Sequence, residues 1–170
     1  TDALLGQVDD GPWLAPTKGV HVVVPLERLP ADSAVVMQHP RDGRVLFTLP
    51  FHERTVIGTT DTRFDGDPGQ VEASSAAVAS LLAAAGHYFP GARLAADDVI
   101  ASWAGVRPLL SADTGDPSAA SREHRVEVMP QGIVVVAGGK LTTYRPMAAE
   151  CVSAAELHVA RRGGPGPRRA

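Results

Sequence analysis

The residues whose types and spacing most clearly suggest chemistry lie in the segment VVVAGGKLTTYRPMA, Val134 to Ala148. An apolar run ends at Gly138 and Gly139, and Lys140 and two threonines follow before a segment with helical spacing. A turn from a strand into a helix directs backbone N–H groups and the positive end of the helix dipole to one point, which suits an anion. The segment is therefore a candidate anion-binding turn.

Neither of the common phosphate-binding motifs fits this turn. A P-loop needs a glycine where Val134 stands and a hydroxyl where Leu141 stands. The dinucleotide fingerprint fails because Gly138 and Gly139 are adjacent and no third glycine follows at the required spacing. The identity of the anion therefore depends on the rest of the chain.

Three cationic residues stand at predicted strand ends or loops, where binding sites are usually built. Arg107 follows the segment IASWAG, Arg122 follows a loop rich in Gly, Ser and Asp, and Lys140 lies in the candidate turn. If the three converge, an arginine fork and a lysine point charge suit a phosphate monoester. Spacing alone leaves the alternative of three solvated charges equally open.

Metal and hydrolase motifs are incomplete. The six histidines include no helical zinc pair, and HERTV has Val56 where a zincin motif needs histidine. Residues 61–72 imitate a calcium loop, but Arg63 occupies a ligand position and a strand precedes the loop. The sequence contains no G-x-S-x-G. We therefore predict no metal site and no hydrolase elbow.

Composition excludes several classes of protein. The chain has 170 residues, of which 44% are hydrophobic, and a net charge of -3. This composition favours a globular domain and gives no general attraction for nucleic acid. Cys151 is the only cysteine, which favours a reducing compartment. No signal peptide and no apolar run of roughly 20 residues is present.

Short β-branched runs separated by Pro, Gly and Asp predict strands, and helical spacing of apolar residues predicts two helices. The strands are expected within residues 19–26, 34–40, 44–50, 54–60, 98–110, 124–129 and 132–138. The first helix is expected within residues 74–89 behind Ser74 or Ser75 as the N-cap. The second is expected from Thr143, as its N-cap, to Arg161, with one apolar face made of Met147, Cys151, Val152, Ala155 and Val159.

This order of elements predicts an α+β fold in which a mixed, mainly antiparallel sheet packs with two main helices. The tripeptide at residues 41–43 is expected to form the hairpin turn between the second and third strands. We predict a lead-in segment at residues 1–17, a single lobe at 18–160 and a disordered tail at 161–170, with a mobile loop at 111–121.

Several segments together resemble a known family. KGVHVVVP, IGTTDTRFDGDP, DVIASWAGVRPLL, SREH and VVVAGGKLTTYRPMA occur in the order found in the FAD-dependent, quinone-linked glycerol-3-phosphate dehydrogenases. The resemblance spans about residues 18–158. It implies the substrate lobe of a flavoprotein similar to D-amino-acid oxidase, which oxidises sn-glycerol 3-phosphate to dihydroxyacetone phosphate and passes electrons through FAD to quinone.

The resemblance also implies roles for individual residues. It assigns Gly138, Gly139, Leu141, Thr142 and Thr143 to FAD. It assigns Arg107, Arg122, Lys140 and Thr59 to the substrate, with Arg107 and Lys140 also counted as catalytic. His21 is the candidate base for the C2 hydroxyl proton, because a histidine pKa lies near working pH. The alternative for His21 is a hydrogen-bonded pocket residue.

Two parts of the family pattern are absent. The chain has no G-x-G-x-x-G segment for the ADP half of FAD and no helical C-terminal domain. We therefore expect an incomplete FAD site and an interior piece of a longer enzyme. A non-catalytic module that binds phosphorylated polyols, or an inactive remnant, stays open as an alternative. The resemblance implies a cytoplasmic protein and is compatible with a homodimer and with association at the cytoplasmic face of a membrane.

Overall fold

The computed structural model describes residues 14–111 and 123–164, which divide into two compact units. The sheet unit is Thr17–Arg107. The hairpin unit consists of the described residues on either side of it. Three predicted features lie outside the described residues. They are the loop at 111–121 apart from Ser111, the substrate residue Arg122, and residues 165–170 of the tail.

The sheet unit contains a six-stranded sheet in which every pairing is antiparallel. The strand order runs β2-β3-β4-β1, β5 also pairs with β1, and β6 pairs with β1 as well. The strands are β1 Thr17–Pro25, β2 Val35–Gln38, β3 Val45–Phe51, β4 Arg54–Gly58, β5 Thr62–Arg63 and β6 Ala101–Arg107.

A β-bulge interrupts the edge of β1 that pairs with β4 and β5. His21 is paired with both Gly58 and Trp103, so β4 and β6 lie on opposite edges of β1. β5 shares the β4 edge, because Thr17 is paired with β5 and with β6. Between these two pairings, the three residues 59–61 lie opposite only two residues of β1, Gly19 and Val20. The segment that links β4 to β5 therefore contains one extra residue. Such bulges bend a strand and redirect its side chains.

The core of the sheet unit lies between one face of the sheet and helix α1, Ser75–Tyr88. Alternate residues of β1 point to this face, and Val20, Val22 and Val24 are fully buried there. They cluster with apolar residues of α1, among which Leu81 is fully buried. Burial contributes about 1.5–3 kcal/mol for each such side chain.

Helix α1 begins and ends where the sequence predicts. The Ser74 hydroxyl accepts a hydrogen bond from the Ala77 backbone N–H, so Ser74 is the N-cap. A 3-10 turn at Pro90–Ala92 follows the helix. The hairpin turn predicted at residues 41–43 is also confirmed, with Gly43 in the left-handed region at φ 70°.

The hairpin unit consists of an antiparallel β-hairpin and one helix that packs on both of its strands. Its elements are β7 His124–Val128, β8 Val134–Gly138, a 3-10 turn at Leu141–Thr143 and α2 Tyr144–Arg161. With the sheet unit, it confirms the predicted α+β fold. In the part of the chain that the structure describes, no helix is both long enough and apolar enough to cross a membrane.

Two details of α2 differ from the sequence prediction. No residue of α2 is buried, and Val152 and Val159 of the predicted apolar face are 57% and 45% exposed. A two-stranded hairpin covers only a narrow strip of a helix, so it cannot bury a full apolar face. Thr143 is the N-cap as predicted, but its hydroxyl hydrogen bonds with Lys140 instead of capping α2. The helix ends at Arg161 as predicted, so Arg161 belongs to the helix and not to the predicted tail.

Candidate functional site

The sheet face opposite α1 carries a cluster of aromatic, cationic and glycine positions. On β6, Trp103, Gly105 and Arg107 alternate onto this face, and His21 of β1 shares it through its pairing with Trp103. Because a strand presents every second residue to one face, these side chains meet although His21 is distant in sequence from the other three. The sheet unit therefore brings the predicted residues His21 and Arg107 together.

The imidazole of His21 is held between an aromatic ring and a bare α-carbon. It stacks on Trp103 with ring centroids 5.0 Å apart and 12° between the planes. A Cβ added to Gly58 would lie 2.2 Å from His21 Cδ2, so only glycine leaves room for the ring at this position. Burial lowers the pKa of His21 below 6.5, and the positive charge of Arg107 lowers it further.

The neutral imidazole is also favoured by its hydrogen bonding. Nδ1 of His21 is buried and has no hydrogen-bond partner among the described residues. Protonation would bury an N–H group without an acceptor beside the Arg107 guanidinium, which costs free energy. Burial and the neighbouring guanidinium therefore both favour the neutral imidazole at neutral pH.

The Arg107 guanidinium is held by the β-bulge. Nη2 donates to the Thr59 hydroxyl at 2.9 Å, and Nη1 donates to an Asp61 carboxylate oxygen at 3.2 Å. Both Nη atoms also lie 3.3 Å from the Thr60 carbonyl oxygen. A Cβ added to Gly19 would lie 2.3 Å from Arg107 Nη2, so the guanidinium extends across this glycine. The predicted substrate residue Thr59 therefore lies beside Arg107 and contacts it directly.

Replacing Arg107 with methionine should raise the pKa of His21, because the substitution removes the nearby positive charge. NMR titration of the His21 ring protons in the 170-residue chain measures this shift. Arg63→Met is the control, since Arg63 pairs with Asp65 on an exposed surface and should leave His21 unchanged. An unchanged pKa in Arg107→Met would mean that burial alone sets it.

The same pKa shift has a defined effect on stability. A histidine with a lowered pKa in the folded state takes up protons more readily when the chain unfolds. Above about pH 6.5, the titration of His21 therefore leaves the free energy of unfolding unchanged. As the pH falls below this ordinary value, the free energy of unfolding decreases. Arg107→Met should reduce this sensitivity to acid.

The glycine turn of the hairpin unit is built by contacts within the chain. Gly138 and Gly139 have φ angles of 74° and 76°, which lie in the left-handed region. A Cβ on Gly138 would lie 2.4 Å from the Glu123 carbonyl oxygen, and one on Gly139 would lie 2.4 Å from Met147 Sδ. Both left-handed positions therefore favour glycine, and at Gly138 a Cβ would also overlap a backbone atom of this unit.

The residues after the glycines form a compact, exposed turn. The Lys140 backbone N–H donates to the Thr143 hydroxyl at 3.1 Å, and this hydroxyl donates to the Lys140 carbonyl oxygen at 3.0 Å. The Leu141 side chain is 88% exposed. Within the described ranges, no hydrogen bond is found for the backbone N–H groups of Leu141 and Thr142. The turn therefore presents donors ahead of α2.

Sequence patterns did not single out several residues that contact the site. Trp103 and Gly105 alternate with Arg107 on β6, and this period of two is the signal that identifies them. Asp61 and Gly58 have no comparable signal, since their contacts depend on the bulge and on cross-strand register.

In the hairpin unit, His124 Nε2 lies 2.7 Å from Glu150 Oε2 and links β7 to α2.

The structure thus places the predicted residues in two groups. The sheet unit brings together His21, Thr59 and Arg107. The hairpin unit brings together Gly138, Gly139, Lys140, Leu141, Thr142 and Thr143. No group of three or more His, Cys, Asp or Glu residues in the described ranges has the arrangement of a metal site.

Comparisons with known proteins place this chain in a family. Residues 1–154 match the family described as FAD dependent oxidoreductase. Over 136 residues the chain is 40% identical to the aerobic glycerol-3-phosphate dehydrogenase of Staphylococcus saprophyticus, which covers 80% of this chain. The corresponding protein of Staphylococcus aureus strain COL is 36% identical over the same length.

A solved structure extends the similarity to three dimensions. The X-ray structure of the glycerol-3-phosphate dehydrogenase from Bacillus halodurans complexed with FAD matches with a TM-score of 0.75 and 38% identity, over 91% of this chain and 28% of that one. The chain spans about a quarter of the curated relatives, 24% of the Staphylococcus saprophyticus protein. This agreement in sequence and fold shows that the chain belongs to the FAD-dependent oxidoreductase family.

Proposed function

We propose that this chain is part of an FAD-dependent dehydrogenase that oxidises sn-glycerol 3-phosphate to dihydroxyacetone phosphate and passes the electrons to quinone. The names of the relatives support the substrate class. The observation that carries the proposal is the neutral imidazole of His21 beside the bulge-held guanidinium of Arg107. A proton acceptor beside a fixed cation suits an alcohol that also carries a phosphate.

The glycine turn of the hairpin unit fits a flavin. When bound, FAD would supply the acceptor for the hydride that leaves C2 of the substrate. Leu141 and Thr142 would donate their backbone N–H groups to it, and the positive end of the 18-residue helix α2 would stabilise negative charge there. Gly138, Gly139 and Thr143 would hold this turn in shape. The ADP half of FAD would require residues beyond this chain.

The remaining residues would bind and orient the substrate. Arg107 and Arg122 would lie around the phosphate and hydroxyl of the substrate, and Lys140 would add positive charge. The Thr59 hydroxyl would act beside Arg107, which it already contacts. His21 would take the proton from the C2 hydroxyl as the C–H bond breaks. A cytoplasmic location, membrane association and a homodimer belong to the same proposal and rest on the resemblance.

The test is a chimera in which residues 14–164 replace the matching segment of the Bacillus halodurans relative. We expect it to reduce an artificial quinone with sn-glycerol 3-phosphate as the donor. Arg107→Lys and Arg122→Lys should each raise KM roughly 10- to 100-fold, because lysine keeps the charge but loses the two-pronged hydrogen bonding.

Arg63→Lys is the matched control and should leave KM unchanged, since Arg63 pairs with exposed Asp65. Wild-type KM in both test variants would show that the phosphate is held elsewhere. A chimera that binds sn-glycerol 3-phosphate and FAD without turnover would favour the non-catalytic binding module. A folded chimera that binds neither would favour the inactive remnant.

A further inference from the structure

On the face of β6 next to His21, one position, Gly105, has no side chain. Trp103, Gly105 and Arg107 follow one another on this face, so a large ring and a cation flank a position without a side chain. We infer that Gly105 determines substrate size: its bare α-carbon is the floor of a slot that takes the three-carbon chain of a polyol phosphate. This inference rests on the proposed function.

The three glycines near the cluster differ in what occupies the space above them. The space above Gly58 is filled by the His21 ring, and that above Gly19 by the Arg107 guanidinium. Around Gly105, no atom of the described residues other than its chain neighbours lies within 4 Å of the place where a Cβ would stand. Gly58 and Gly19 thus make room for the chain's own side chains, whereas the space above Gly105 is open to a ligand.

The backbone of Gly105 does not require glycine. Its φ angle lies outside the left-handed region, and the residue is in the middle of a regular strand. Other side chains fit such a position without strain, and β-branched ones favour it. The absence of a side chain here is therefore not explained by the fold of the sheet unit, unlike the absence at Gly58 and Gly19.

The dimensions and charges of the slot select a ligand class. Residues two apart in a strand are separated by about 6.6 Å, so Trp103 and Arg107 stand at that distance on either side of Gly105. A three-carbon chain fits this interval with its anionic end at Arg107. Its C–H groups then face the Trp103 indole, which is 46% exposed and stacked on His21. A side chain at residue 105 would occupy the same space.

Gly105→Ala and Gly105→Val in the chimera test this inference. We expect KM for sn-glycerol 3-phosphate to rise about threefold with alanine and more than tenfold with valine, with little change in KM for the quinone. The thermal unfolding temperature should not fall. Gly86→Ala is the matched control, because the space around Gly86 on α1 is also open and lies away from this face. It should leave both KM values unchanged.

A second measurement separates this inference from the proposed function. NMR titration of the 170-residue chain with sn-glycerol 3-phosphate should shift the Trp103 indole and His21 signals, and Gly105→Val should abolish these shifts. Turnover by the chimera with normal KM in Gly105→Val would overturn the slot and leave the proposed function intact. No turnover by the unsubstituted chimera, together with no NMR shifts, would overturn both.

Discussion

Lys140→Ala in the chimera is expected to keep FAD bound and to lower turnover about 100- to 1000-fold. The glycine turn and the Thr143 hydroxyl fix the backbone of Lys140, and its side chain is exposed. A cation on this turn would stabilise the alkoxide that forms as the C2 proton leaves, or the nearby phosphate. Removing one such preorganised group typically costs about 2.7–4 kcal/mol in the transition state.

Stopped-flow reduction of the flavin by sn-glycerol 3-phosphate measures this step directly, and the visible spectrum reports FAD occupancy. Lys18→Ala is the control, because the Lys18 amine hydrogen bonds to the Glu72 carbonyl oxygen in the sheet unit. Near-normal reduction in Lys140→Ala would make Lys140 a solvated charge. Loss of the flavin would make it a cofactor ligand, and the proposed division of the turn would be wrong.

Gly138→Ala is expected to destabilise the hairpin unit by at least about 2 kcal/mol in the absence of any cofactor. An alanine at φ 74° is strained, and its Cβ would overlap the Glu123 carbonyl oxygen at 2.4 Å. That oxygen accepts a hydrogen bond from the Gly139 N–H, so the turn cannot move away without losing it. Hydrogen exchange of the β7 and β8 amides in the 170-residue chain measures the loss.

The control for this prediction is Gly163→Ala in the same unit. Gly163 has a φ of 80°, and among the described residues that are not its chain neighbours no atom lies within 4 Å of its Cβ position. The variant therefore carries backbone strain without steric overlap. We expect it to cost about 1–2 kcal/mol. Equal losses in the two variants would show that the overlap contributes nothing. Unchanged exchange in Gly138→Ala would show that the turn does not need glycine.

Gly138→Ala also separates two reasons for a glycine at this position. The family resemblance implies that Gly138 and Gly139 serve a cofactor, whereas the structure gives each an internal reason through Glu123 and Met147. A stability loss in the absence of FAD would therefore confirm the internal requirement. The flavin assignment then depends on the donors of Leu141 and Thr142, which follow the glycines.

The sequence alone determined the elements and the family. Alternating β-branched residues and Pro-Gly punctuation predicted the main strands within a few residues, because these signals are local. Ser74 capped the first helix as expected, for the same reason. The resemblance predicted that His21 and Arg107 belong to one site, and the strand pairing places both on one face of the sheet.

Tertiary structure decided what those residues contact. Asp61 meets Arg107 from 46 positions away because a bulge turns it there, and Gly58 lies under His21 because of cross-strand register. The exposed valines of α2 have the same origin, since burial depends on the width of the partner surface. Strand register and bulges depend on how the whole sheet packs, so the periodicity of one segment cannot determine them.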